Sequence, residues 1–493
     1  MFKLLRSSIA VAVLALPLVA VAKSDGYGMP ARNWTTNLPV VKVPAVSFSF
    51  KGDARISGFH NPAAGQNPAS TTGGEVSGFQ ELAHLGAAAK LDNGTSFHAG
   101  VILEGGNWTG LRHQPNTAPT SQTTTNALSK GPNSVRLDYA WVTVPMGNGF
   151  TFSAGRKLAG WADGFTSADT RRDRLFLSKV VHGWFLFDLW DKRNAGTTDK
   201  YDIPTSDYHS AYLWIPLGVV KNFNLGGMTG NHVTVGAFYG LYRGATQRGA
   251  DVVTSSTGCP TASTCTVGAP GTYLSDFALR GVDEFSPWAK GTINGYHFLA
   301  AYNYFGHGQG SVFYGSSSAW ALRLGHDLGS QFNLAGQYVG VQNGGYVGPG
   351  FDTFSSVINN SPDMDQSPTN ITNIGGLGGI GPTQAQQFKQ YLVMLRLSWM
   401  PAANWTFNLA GGRMHRDGGY IAGFGTSPGN AFSGTENDNV YDVQAHYQVT
   451  SNAMIWASYG VISPTGSGQA LMEQGTGLSG SLSAVSLNLR AQF

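Results

Sequence analysis

Apolar and polar side chains alternate one by one along most of this chain, from near Pro44 to the last residue. Val46, Phe48, Phe50, Gly52, Ala54 and Ile56 alternate with Ser47, Ser49, Lys51, Asp53, Arg55 and Ser57. At the other end Val485, Leu487, Leu489, Ala491 and Phe493 alternate with Ser486, Asn488, Arg490 and Gln492. Successive side chains of a β-strand point to opposite faces, so each such segment has one apolar face and one polar face. A soluble sandwich strand shows this pattern too. It rarely does so along a whole chain with Lys, Asp and Arg on the polar phase.

The links between these segments come in two kinds. Asp92-Asn93-Gly94, Met146-Gly147-Asn148-Gly149, His182-Gly183, Ile293-Asn294-Gly295, Asp327-Leu328-Gly329 and Thr450-Ser451-Asn452 are tight, and their Asn and Gly accept the positive φ of short hairpins. Between them lie long polar stretches at 61–77, 107–133, 244–276, 344–387 and 415–438. Short turns at one rim and long loops at the other predict an all-β transmembrane antiparallel barrel, with periplasmic turns and extracellular loops. The segment 216–231 reads as a longer periplasmic connection. Strands are expected near 45–59, 79–91, 95–105, 134–144, 150–157, 173–181, 184–193, 207–215 and 232–243. They continue near 277–292, 296–305, 317–327, 332–342, 388–399, 405–414, 439–449, 453–462 and 481–493. That makes about eighteen, with sixteen as the alternative because 150–193 is short and irregular; a single-chain bacterial barrel has an even number.

Composition sharpens this reading. Mean hydropathy is −0.11, an ordinary value for a soluble protein. Yet 67 of 493 residues are Gly, nearly double the usual share of about 7%. Charged residues are only 12%, while Trp, Tyr and Phe number 12, 19 and 27. A barrel accounts for the mixture, because half of each strand meets lipid, half meets water, and aromatic girdles mark the interfaces. Tyr139 and Trp141, Phe150 and Phe152, Tyr302 and Tyr304, Trp399 and Trp405, and Tyr441 and Tyr447 are read as girdle residues. The inward phase of the same strands reads as Gly, Ser, Asn, Gln and charge, with no second apolar layer to pack against.

The first residues have the form of a secretory signal, 1–22: Lys3 and Arg6, an apolar run, then Ala20-Val21-Ala22 before Lys23. The run is shorter than the roughly 20 residues of a helical span. Residues 23–44 do not alternate and form an N-terminal periplasmic segment, leaving 45–493 as the barrel. Cys259 and Cys265 share one polar loop segment. In an exported chain that spacing suits a local disulfide, and no His or carboxylate set accompanies it for a metal. Net charge is +3 with no basic block, which offers nothing to nucleic acid.

The signal, the alternating strands and the terminal Leu487-Asn488-Leu489-Arg490-Ala491-Gln492-Phe493 resemble the Gram-negative outer-membrane porins. The resemblance implies an outer-membrane location, contact with its lipid, and a terminal Phe493 read by the barrel-assembly machinery. It also implies passive passage of small hydrophilic solutes, as a homotrimer or a monomer. Length and strand number are similar to the alginate-export and substrate-specific groups, and no motif selects either. A haem-bearing porin would carry CxxCH, which is missing here, and no cofactor or metal is expected.

Porins of the resembled kind narrow the pore with an inward-folded third extracellular loop, which by strand count is 158–172. It runs into the most charge-dense stretch of the chain, so Asp163, Asp169, Arg171, Arg172, Asp173 and Arg174 are the constriction candidates. A surface loop whose ions pair with one another is the plainer alternative. On the wall, Lys51, Asp53, Arg55, Glu104, Arg136, Asp138, Lys290, Arg323, Lys389, Arg396, Asp442 and Arg490 fall on polar phases or strand ends. Charges on the lipid face would cost about 2–4 kcal/mol near the midplane, so these are expected to face water. Arg outnumbers acid among them, a lean toward anions. Enzymatic readings are weak: His326 and Asp327 are sequence neighbours that point apart on a strand, and His446 with Asp442 lacks a nucleophile elbow. The channel reading therefore leads. Polysaccharide export, or a sheath around an electron-transfer partner, is the alternative.

Overall fold

In the computed structural model the described residues are 41–43, 46–61, 76–105, 134–193, 211–226, 230–243, 282–306, 317–343, 345, 347–348, 351–359, 369–371, 374, 389–421, 431–465 and 481–493. The signal, most of the N-terminal segment and the Cys259–Cys265 pair lie outside them. The strands are β1 (Val41–Val43), β2 (Val46–Asn61), β3 (Val76–Leu91), β4 (Ser96–Gly105), β5 (Ser134–Gly147), β6 (Phe150–Trp161) and β7 (Ser167–Val181). Next come β8 (Trp184–Arg193), β9 (Ala211–Asn224), β10 (His232–Arg243), β11 (Asp283–Ile293), β12 (Tyr296–Phe305), β13 (Ser317–Leu328) and β14 (Phe332–Gln342). The last are β15 (Lys389–Ala402), β16 (Trp405–Ile421), β17 (Ala431–Thr450), β18 (Ala453–Thr465) and β19 (Leu482–Gln492).

Each of β2 to β19 pairs antiparallel with its sequence neighbours, and β19 pairs back onto β2, closing an 18-stranded barrel. Val485 lies opposite His60 and Gln492 opposite Asp53, while Gly52 and Phe493 exchange backbone bonds of 2.9 and 3.0 Å. The short β1 folds back along the start of β2. Positive φ at Asn148, His182 and Asn294, each beside a positive-φ glycine, marks tight hairpins at one rim, as the Asn-Gly pattern predicted.

The outer face is the apolar phase. Leu322, Leu324, Leu395, Leu409, Val443 and Leu487 are all exposed there. Trp399, Phe407, Trp405 and Tyr447 form a run of ring contacts at the rim of the tight turns, centroids 4.7 to 5.5 Å apart. That is a girdle at the headgroup level.

Three sequence expectations fall differently. The segment 216–231 is mostly strand: β9 runs through Pro216 to Asn224, and just beyond it Leu225 N–H donates to Asn231 O at 3.2 Å. Pro216 is accommodated at register shifts of β9 against both neighbours, where a missing N–H leaves no gap in the ladder. The supposed loop 158–172 is nearly all strand as well. Only 162–166 connects β6 to β7. Finally, Tyr139 and Trp141 are not girdle residues. The Tyr139 ring lies inside the barrel across Gly100 and Gly86, where a Cβ would stand 2.4 Å from ring carbons and 2.0 Å from the hydroxyl oxygen. Two register-paired glycines leave a slot that one large inward side chain fills.

Gly100→Val should therefore destabilise the barrel by about 1–3 kcal/mol through overpacking against Tyr139. Urea unfolding in lipid vesicles should show a smaller loss for the same substitution in a Tyr139→Ala background. An equal loss in both backgrounds would separate Gly100 from the ring.

Candidate functional site

Inward side chains do not all meet water. On β12 to β15 the inner face carries Leu299, Ala301, Ala319, Ala321, Ala335, Val339, Val341, Leu392 and Met394, all buried. The expectation of a purely polar inner phase is thus corrected. The signal was present in β13 as Ala319-Trp320-Ala321-Leu322 and in β15 as Leu392-Val393-Met394-Leu395, where both phases are apolar. Such continuous runs mean burial on both faces of the sheet. Two chain segments cover this apolar wall from inside.

The first is the β6–β7 connection. Ala162, Asp163 and Gly164 all have positive φ, which turns the chain off the end of β6 and into the barrel. Trp161 Nε1 donates to the Ser286 carbonyl and reaches its hydroxyl, both at 3.1 Å, and its ring meets Phe187, Phe238 and Trp288 edge-on. Phe165 is fully buried, and Thr166 Oγ1 donates to Asn303 Oδ1 at 2.6 Å. Asp163 is ion-paired with Lys290 of β11.

The second comes from the β14–β15 connection, read from the sequence as an external polar loop. Among its described residues Val347, Phe351, Phe354, Val357, Ile358 and Ile374 are at most 2% exposed and pack on the apolar wall. Phe351 meets Phe165 edge-on at 5.2 Å, and Gly348 N–H donates to Phe165 O at 2.6 Å, so the two insertions lock together. Gly and Ser hid these few apolar residues in the sequence.

The wall charges hold this segment. Asp442 accepts from Ser356 N–H at 2.5 Å and Ser356 Oγ at 2.6 Å. Gln337 accepts from Phe354 N–H at 3.0 Å. The Arg323 guanidinium lies 4.5 Å from the Phe351 ring centre, and Arg396 lies 4.2 Å from that of Phe354. A Cβ on Gly460 would stand 2.6 Å from Val357, so the wall is recessed where the segment crosses. Arg323, Arg396 and Asp442 thus face protein inside the barrel rather than open water. Asp442 also accepts from Gln444 Nε2 at 2.8 Å, and Gln444 Oε1 accepts in turn from His446 Nε2 at 3.0 Å.

The inner face of β2 to β7 has a different lining. Lys51 sits 5.5 Å from the Tyr139 ring, and Lys157 sits 4.4 Å from Phe176 and 5.9 Å from Trp141. His98 stacks on Trp141 at 4.5 Å. These side chains are half-buried, unlike those under the insertions. The acids nearby are engaged. Asp191 receives both arms of Arg174 at 2.5 Å, and Asp53 contacts His84 at 3.0 Å and Arg490 at 3.9 Å. Arg55 and Asp138 are buried on the same wall.

The sequence candidates are consequently dispersed. Asp163 is on the inserted turn, Arg174 faces inward and Asp173 falls on the outward phase of β7. Asp169, Arg171 and Arg172 lie on β7 with side chains outside the described set, as do Glu104 on β4 and Arg136 on β5. Lys389 is exposed at the loop end of β15. Lys157, His98 and Trp141 were not singled out as lining residues from sequence.

No protein-family model matches the sequence, and no curated relative is similar to it. Solved structures are similar in fold. A BenF-like porin from Pseudomonas fluorescens matches over 90% of this chain and 98% of its own, with TM-score 0.50 and 10% identity. OpdO of Pseudomonas aeruginosa matches over 90% and 97%, with TM-score 0.48 and 11% identity. The outer-membrane channel DcaP of Acinetobacter baumannii matches over 92% and 99%, with TM-score 0.41 and 10% identity. The fold is that of Gram-negative outer-membrane porins.

Asp442→Ala would leave the Ser356 amide and hydroxyl without their charged acceptor, a loss of about 1.5–3 kcal/mol per hydrogen bond at the anchor. Single-channel conductance should rise and become noisier, and protease should cut more readily within 345–374. Unchanged conductance and cleavage would mean that the segment is held elsewhere.

Proposed function

We propose that this chain is a passive outer-membrane channel for small hydrophilic solutes that favours small anions. The observation that carries this reading is the contrast between the two halves of the lumen. The β10–β19 side is filled by the inserted segments, so the aqueous path follows the inner face of β2 to β7. Along that face Lys51 and Lys157 stand over aromatic rings, while Asp53 is engaged with His84 and Arg490. A cation held over a ring face keeps its charge on the opposite side, toward the path. Anions entering would meet a positive, partly apolar surface. Small anions that also carry apolar surface gain from both parts.

The insertions also bear on polysaccharide export. A chain-conducting pore needs a wide cross-section, and the apolar filling between β10 and β19 narrows this one. Phe493, whose backbone bonds to Gly52 close the barrel, is the residue we assign to recognition by the assembly machinery.

Reversal potentials across planar bilayers under a salt gradient test the reading. The wild-type channel should prefer chloride over potassium. Lys51→Glu and Lys157→Glu should each lower that preference by roughly fivefold, the equivalent of about 1 kcal/mol between near charges in water. A cation-preferring wild type, or two variants without effect, would overturn it.

A further inference from the structure

The outward phase of the barrel changes chemistry at one level near the loop ends of β16 to β18. Rising from the tight-turn rim, β16 presents Leu409 and Gly411 outward, then Arg413, His415 and Asp417. β17 presents Val443 and Tyr441, then Asn439 and Asn437, and β18 changes from Val461 to Ser463. The phase is fixed by burial. Leu409, Val443 and Tyr441 are exposed, whereas Asn408, Val440 and Asp442 between them are buried on the inner face. Arg413, Asn439 and Ser463 are register partners, so apolar character ends in a single row across three strands.

That row stands at the outer-leaflet headgroups. Arg413 lies eight residues above Trp405, which with strands tilted by about 40° is ~20 Å up an apolar band ~25 Å tall. Its long side chain reaches the interface from there. A row of rings runs into the same level across β13 to β16. Trp320, Tyr338, Tyr391 and His415 follow one another with centroids 6.4, 6.0 and 4.8 Å apart. Arg413 is exposed, and among the described residues its guanidinium has no ion pair or hydrogen bond. Lys389 is exposed on the adjacent strand, four residues above the Val393 that faces Arg413, hence ~13 Å along the wall. Asp417 stands at the level of Lys389 and accepts from Thr435 Oγ1 at 3.2 Å. Glu436 and Asp438 are buried on the inner face with Arg416, so they do not neutralise Arg413.

We propose that the outer face at the loop ends of β15 to β18 binds the phosphorylated sugar headgroup of the lipid that fills the outer leaflet. Arg413 is the phosphate ligand, and Lys389 holds a second phosphate at the far end of the headgroup. A guanidinium presents paired N–H donors that match two phosphate oxygens, and its weak hydration suits the deeper of the two positions. Asn439 and Ser463, beside Arg413 in the same row, offer neutral partners for sugar hydroxyls. Leu409 and Val443, just below, then lie against the acyl chains. The positive charge belongs to the wall itself, so no divalent cation is needed to bridge protein and phosphate. This site depends on the outer-membrane location and is independent of the anion preference of the lumen.

Native mass spectrometry of the full barrel in detergent micelles, titrated with lipid A, tests this. The wild type should retain lipid A in the presence of EDTA. Dephosphorylated lipid A and phosphatidylglycerol should each bind about tenfold more weakly or worse. Arg413→Gln should weaken lipid A binding about tenfold, and adding Lys389→Gln should weaken it further. Lys221→Gln, which removes a cation at the opposite rim, should bind lipid A as the wild type does. Each substitution takes a charge off the lipid-facing wall, and heat-modifiable mobility on gels verifies that the barrel has closed. Wild-type affinity in Arg413→Gln, equal retention of the dephosphorylated lipid or of phosphatidylglycerol, or an equal loss in Lys221→Gln would overturn the proposal. So would release by EDTA, which would assign the binding to a cation bridge at Asp417.

Discussion

Inside a bilayer no water is at hand to satisfy a free N–H or C=O, so a sheet can cross only if its last strand finds its first. Here that closure is the β19–β2 ladder, finished by the two backbone bonds between Gly52 and Phe493. Gly52 permits it, because a Cβ there would stand 2.4 Å from the Phe493 ring. Closure divides every strand into an outer phase and an inner phase with different solvents. The remaining features of the molecule are responses to that division.

On the inner side the solvent is a choice between water and protein, and this barrel uses both. An apolar inner wall on β12 to β15 would be poorly served by water, and the two inserted segments cover it with Phe165, Phe351, Phe354 and Ile358. Burial then falls on charges that share the wall. Asp442 is 2% exposed and Arg396 likewise, and each is compensated by the segment that buries it, through Ser356 and the face of Phe354. Apolar contact and charge compensation act together, so the insertion is held at one depth and in one orientation. The opposite wall keeps its cations over aromatic rings, where they remain half-exposed.

The asymmetry has an outer counterpart. The chain turns inward at Ala162–Gly164 beside the strands whose outer phase loses its apolar character at Arg156, Asp173 and Asp188. One region of the wall thus carries the inserted turn, part of the cation-lined inner face and the charged outer row.

By itself the sequence determined the barrel. Period-two alternation from Val46 to Phe493 and Asn-Gly links at one rim specify strands, their faces and their order, because those signals are local and repeat at every hairpin. The inward phase of Lys51, Asp53 and Arg55 was legible for the same reason. Only the tertiary structure decided what occupies the lumen. The cover supplied by the described residues between 345 and 374 rests on six apolar residues scattered among Gly, Ser and Asn, whose burial depends on a wall contributed by strands far away in sequence. Likewise Asp442 meets Ser356 across 86 residues, and Asp163 meets Lys290 across 127. Tyr139 and Trp141 looked like girdle aromatics until the inner face supplied a glycine slot for the one and the His98 ring for the other. Alternation tells which side of a sheet a residue takes; what waits on that side is set by long-range packing, which no local period encodes.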